Sequence, residues 1–140
     1  MKVRKASFKD SEEIADILKQ MKIFHTKDFY RKKIKFLNQS KNYKIIVAEK
    51  EKKVVGLAAI ALISLLHAPR MICRVTILCV SAKVRGEGIG RVLLKKAEQF
   101  GRVHYCHRIE VTSHIKRTEA HRFYKKNGYL YLSKRFVKDL

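Results

Sequence analysis

Four stretches of the chain repeat apolar residues every three or four positions, and the segments between them are apolar in shorter, denser runs. Ile14, Ile17, Leu18 and Met21 share one helical face, and Asp10-Ser11-Glu12-Glu13 before them reads as a capping box. Tyr30, Ile34 and Leu37 align a second helix over 27–38. Ile89, Leu93, Ala97 and Phe100 mark a third over 88–101. Ala120, Phe123, Tyr124 and Asn127 mark a fourth over 117–127, with Gly128 placed as its C-cap. Lys2 to Ala6 reads as a first strand. Tyr43 to Ala48 and Val54 to Leu66 read as a hairpin through the charged turn Glu49–Lys53. His67-Ala68-Pro69 breaks the chain, and Met71 to Val80 follows as a strand apolar on both faces, the pattern of a central strand covered on both sides. Arg108 to Ser113 and Tyr129 to Lys138 complete the strands. The succession predicts an α/β (α+β) fold, a mixed sheet with helices on both faces.

One junction carries chemistry. Arg85-Gly86-Glu87-Gly88-Ile89-Gly90 lies where the strand ending at Val80 gives way to the third helix. Glycines there let the backbone bend tightly and turn a row of N–H groups toward a ligand, and the helix dipole adds positive potential. Such a turn suits a phosphate-bearing ligand. Its spacing excludes two familiar phosphate loops. Nothing fits Gly, four residues, Gly-Lys-Ser/Thr, and the third glycine is misplaced for G-x-G-x-x-G.

The pattern present is R-x-x-G-x-G, and it resembles the acetyl-CoA pyrophosphate loop of the GNAT N-acetyltransferase family, (Gln/Arg)-x-x-Gly-x-(Gly/Ala). About 30 residues on, with a strand between, Ala120 to Tyr129 is similar to the family's second motif, A-x-x-[apolar]-Y-x-x-x-G-[F/Y]. Val3-Arg4-Lys5-Ala6, Asp10 and the apolar positions after it resemble the family's first strand and helix, so the likeness spans essentially the whole chain. It implies a mostly antiparallel sheet of six to seven strands with about four helices on both faces. It also implies acetyl transfer from acetyl-CoA to a primary amine of a small molecule or peptide. Arg85, Gly86, Glu87, Gly88, Ile89, Gly90 and Arg91 would then hold the pyrophosphate. Leu78, Cys79 and Val80 would pair with the pantetheine arm by strand addition and stabilise the oxyanion. Tyr124 matches the tyrosine that in the family often protonates the CoA sulfur. Arg117 stands where many members carry an Asn, and would approach a phosphate or the pantetheine.

The general base departs from the family pattern. Many members place Glu or Asp on the strand before the glycine loop. The matching positions here are Thr76 and Ile77, and no carboxylate occurs between Glu51 and Glu87. Glu110, His114, Glu119 and His121 are candidates, and a water chain is an equal one. The missing base keeps a non-catalytic acetyl-CoA-binding module as an alternative.

At 140 residues the chain is the size of one domain, residues 1–140. The N-terminus carries no signal-peptide pattern. The most apolar stretch, Val54 to Leu66, is too short to span a bilayer, so no membrane partner is expected. Three cysteines without a C-x-x-C fit reduced thiols in a cytoplasm. His104-Tyr105-Cys106-His107 has metal-ligating types, but alternating directions would scatter them, and no metal is expected. The net charge of +21 attracts polyanions beyond what CoA requires. The lysines are spread along the chain without a dense block, which favours a solvated surface over a nucleic-acid site. Nucleic acid enters through charge only, as a third reading. A monomer or homodimer is expected.

Overall fold

In the computed structural model, which describes residues 1–140, the helical periodicities and apolar runs become four helices and five strands. The strands are β1 (Lys2–Lys5), β2 (Tyr43–Lys50), β3 (Lys53–Ile63), β4 (Ile72–Val80) and β5 (Arg108–Val111). The helices are α1 (Ser11–Lys19), α2 (Lys27–Leu37), α3 (Ile89–Val103) and α4 (Thr118–Lys126). The strands lie side by side in chain order. β1 to β4 pair antiparallel, and β4 and β5 pair parallel across the α3 crossover.

The period-two alternation of the strands divides the core. Ile45, Val47, Leu57, Ala59 and Cys79 point to one face and meet Ile14, Ile17, Leu18, Tyr30 and Ile34 of α1 and α2. Ile46, Ala58, Ile60, Cys73 and Val75 point to the other and meet Ile89, Leu93, Leu94 and Ala97 of α3, with Tyr124 of α4. Strands buried on both faces read as unbroken apolar runs, which is why β3 and β4 carry so few polar residues.

Two expectations are corrected. The capping box sits three residues earlier. Ser7 caps a short 3-10 turn over Phe8–Asp10 that leads into α1. Asp10 returns the bond by accepting from the Ser7 amide at 2.8 Å, and it also accepts from the two terminal guanidinium nitrogens of Arg4 at 2.9 Å. Burial would raise the Asp10 pKa, but Arg4 and the Ser7 amide outweigh it and hold the carboxyl below its ordinary value. The sheet has five strands rather than six to seven, because residues 129–138 form no strand. A strand needs an edge to pair with, and this segment lies along none.

Candidate active site

β4 and β5 part company halfway along β4. Their parallel pairing covers Ile72 to Val75 against Arg108 to Val111 and stops there, while β4 runs on to Val80 beside β3. The Ser81 amide donates to Val55 on β3 at 2.8 Å. Backbone groups alternate sides along a strand, so those of Val80 and Leu78 point the other way, into the opening, and those of Cys79 point to β3. The Val80 carbonyl accepts from Arg85 Nε at 3.3 Å on that open side. Cys79 adds packing instead. Its thiol lies 3.8 Å from the Ile17 carbonyl, and burial pushes its pKa up.

The glycine loop closes one end of this opening. Gly86 and Gly88 have φ of +84° and +82°, a left-handed region that strains any residue with a Cβ. Gly88 is the N-cap of α3, and a Cβ built on either glycine meets nothing within 4 Å. The space above them is therefore open to a ligand facing the first turn of α3. Gly90 differs: a Cβ there would sit 3.4 Å from the Phe123 ring, so it allows α4 to pack on α3. Ile89 is buried and anchors the helix, Arg85 and Arg91 are exposed, and Glu87 is paired with Lys50 at 2.7 Å.

Tyr124 packs in one core cluster with Leu78 of β4 and Ile89 at the start of α3. Burial raises its phenol pKa, with Arg117 working against the shift and Cys79 adding to it, so the group remains protonated at neutral pH. Its hydroxyl makes no hydrogen bond within the protein, whereas that of Tyr129 donates to buried Glu98 at 3.0 Å. At the end of β5, where pairing stops, the Ser113 hydroxyl is buried without a partner. The open glycine cradle, the unpaired side of β4 and this orphaned hydroxyl together fit a long ligand carrying both phosphates and hydrogen-bonding amides.

The candidate bases are dispersed. Glu110 lies on the α1/α2 side of the sheet, opposite Ile109, Val111 and Tyr124, and its Oε1 accepts from Arg74 at 3.0 and 2.6 Å. His114 accepts the Lys116 amide at its Nδ1 at 3.1 Å. His121 donates from Nε2 to the His114 carbonyl, and Glu119 is exposed in the first turn of α4. Sequence reading passed over a second pair. Thr76 is the extra residue of a bulge against β3, where Ala59 faces Ile77 and Ile60 faces Val75. Its hydroxyl bonds the Ala59 carbonyl at 3.2 Å and lies 3.0 Å from Tyr43 Oη. Only the register reveals this, since nothing in the sequence marks the bulge.

A family description, Acetyltransferase (GNAT) domain, matches residues 41–130, which hold both the open strand end and the glycine loop. The chain belongs to the GNAT acetyltransferase family. Members of the GNAT family use acetyl-CoA as co-substrate. Among curated relatives, the aminoalkylphosphonate N-acetyltransferase of Salmonella typhimurium is 34% identical over 104 residues. The alignment covers 74% of this chain and 66% of that enzyme, so the chain spans just under two thirds of its relative's length. Solved structures share the GNAT architecture. A protein from Bacillus halodurans, described as a transcriptional regulator, is 22% identical with a TM-score of 0.91 over 99% of both chains. The glucosamine-6-phosphate N-acetyltransferase of Arabidopsis thaliana is 16% identical with a TM-score of 0.87, over 99% of this chain and 97% of that one. No three His, Cys, Asp or Glu side chains of this GNAT chain converge on a point, and no helix is long and apolar enough to cross a membrane.

Proposed function

We propose that this protein transfers the acetyl group of acetyl-CoA to the primary amine of a small molecule. The observation that carries the reading is the opening between β4 and β5, floored by open glycines and flanked by a buried, protonated and unpartnered Tyr124. Acetyl-CoA would supply the activated acyl group. Gly86, Gly88 and the first turn of α3 would receive its pyrophosphate, with Arg85, Arg91 and Arg117 adding charge. Leu78 and Val80 would pair with its amide-bearing arm, fixing the thioester against the strand. The amine nitrogen bonds to the acyl carbon as the carbon–sulfur bond breaks. Tyr124 would give its proton to the departing sulfur, and the surplus amine proton would leave through water, because no carboxylate stands on β4 to take it.

The acceptor we propose is a short amine bearing an anionic head. The Salmonella typhimurium relative is an aminoalkylphosphonate N-acetyltransferase, and a chain of net charge +21 draws a phosphonate-, phosphate- or carboxylate-bearing amine. The test is thiol release from acetyl-CoA across a panel of aminoalkylphosphonates, amino acids, uncharged alkylamines and peptides. Release with anionic amines above uncharged ones supports the reading. Release with peptides alone would contradict the proposed acceptor. No release with any amine, in a protein that still binds acetyl-CoA, would make this a binding module.

A further inference from the structure

α3 packs chiefly on β4 and β3, so the same face of the sheet continues past the helix toward β1. Between the helix and that edge lies a cavity of about 450 Å³. Strand alternation makes its floor. Val3, Ile46 and Ile60 point to the α3 side of β1, β2 and β3, and Phe100 and Val103 close the cavity from the helix. Ile60 is wholly buried, and Val103 is exposed at the rim.

Three lysines line the same cavity: Lys5 from β1, Lys44 from β2 and Lys96 from α3. No carboxylate lines it, and none of the three lysines is in an ion pair. The neighbouring Arg4 shows the contrast, since Asp10 at 2.9 Å and Glu49 at 2.7 Å neutralise it. Lys5 stands opposite Ile46 across the strands, which puts Lys44 in the diagonal position on the same face. Like charges so placed repel, and no acidic side chain offsets them. Lys44 Nζ lies instead over the Phe100 ring, 5.1 Å from its centre.

We propose that this cavity binds a small amphiphilic anion, a medium-chain alkyl carboxylate. Its chain lies on the apolar floor, and its head sits among Lys5, Lys44 and Lys96. The size fits, because small-molecule sites span about 300–1,000 Å³ and are mostly apolar with a few polar groups. Lysine ammoniums are compact point charges, which suit a carboxylate that needs no fixed fork. The site is separate from the proposed acetyl-CoA opening. Gly88 and Phe100 are about 18 Å apart along α3, and β1 is the opposite edge of the sheet from β5.

The experiment titrates octanoate into the whole chain, with and without saturating acetyl-CoA, and reads amide NMR shifts and melting temperature. Saturable shifts should cluster at residues 3–5, 44–46 and 96–104, and the melting temperature should rise. Affinity should grow by up to about fourfold per methylene from butanoate through hexanoate to octanoate. Acetate, inorganic phosphate and octylamine should give none of this. Lys44→Met and Lys96→Met keep the apolar stem and remove the charge. Each should weaken octanoate about 2- to 5-fold, and the pair about 10-fold, with the unliganded melting temperature unchanged. Lys41→Gln, exposed and outside the cavity, should bind as the wild type does. No saturable binding at millimolar octanoate would overturn the proposal. Displacement by acetyl-CoA, or shifts centred on Leu78 to Gly90, would also overturn it by placing the ligand in the other opening. Affinity indifferent to the lysine substitutions would do the same, and phosphate binding as tightly as octanoate would leave only a cationic surface. None of these readings depends on acetyl transfer.

Discussion

Tyr124 and Tyr129 stand five residues apart with ring centres 6.0 Å from one another, and their hydroxyls meet opposite fates. That of Tyr129 is spent on Glu98, and that of Tyr124 has no partner in the protein. Tyr124→Phe should lower single-turnover acetyl transfer by about 10²-fold or more, the range of one acid–base group. Acetyl-CoA affinity should hold, since the ring and its packing remain, and full turnover in the mutant would reduce Tyr124 to a packing residue. Tyr129→Phe should do the reverse, leaving chemistry intact and costing about 1.5–3 kcal/mol for a bond to a charged acceptor. Burial first, then the Glu98 charge, raises the Tyr129 pKa above its ordinary value. A raised folded pKa gives stability that is present below the unfolded value and lost as pH climbs through and beyond it. The wild type should therefore lose melting temperature above pH ~10 more steeply than Tyr129→Phe does. Parallel curves for the two proteins would contradict this. Tyr124 was legible in the sequence because its motif fixes both its helix face and the glycine after it. The Thr76–Tyr43 contact and the orphaned Ser113 hydroxyl were not. They depend on a bulge and on where two strands separate, and both are set by partners distant in the chain.

At the scale of elements, helix faces and central strands follow from periodicity, and the expected boundaries of α2, β4 and α3 differ from the observed ones by a residue or two. Periodicity reports burial directly, so these were readable. The capping box was misplaced because Asp10-Ser11-Glu12-Glu13 also satisfies the pattern. Arg4 and the Ser7 amide, one on a strand and one before the turn, decide between the two. The apolar residues over 129–138 show what a segment would bury and not which edge it meets, and no strand forms there. The glycine loop gives the sharpest test at this scale. Gly88→Val should lower stability by about 1–2 kcal/mol through its left-handed backbone, although the side chain itself meets nothing. It should also abolish the rise in melting temperature that acetyl-CoA gives the wild type. That rise corresponds to roughly 2.7 kcal/mol at 100 times the dissociation constant. A Gly88→Val protein that still gains the full shift would make the loop structural only.

For the molecule as a whole, the sheet is a frame whose β4–β5 opening, glycine turn and Tyr124 are brought together by the α3 crossover. The exposed cations surround that frame on every element, which helps an anionic co-substrate arrive but does not by itself select one. In the proposed reading, selection rests on the backbone groups of Leu78 and Val80 that alternation turns into the opening. Amide hydrogen exchange with and without saturating acetyl-CoA measures that claim directly. The account predicts strong slowing at Leu78 and Val80 and in the first turn of α3. Cys79, whose amide already points to β3, should change little. Uniform slowing, or none at Leu78 and Val80 while acetyl-CoA binds, would contradict it and place the co-substrate elsewhere.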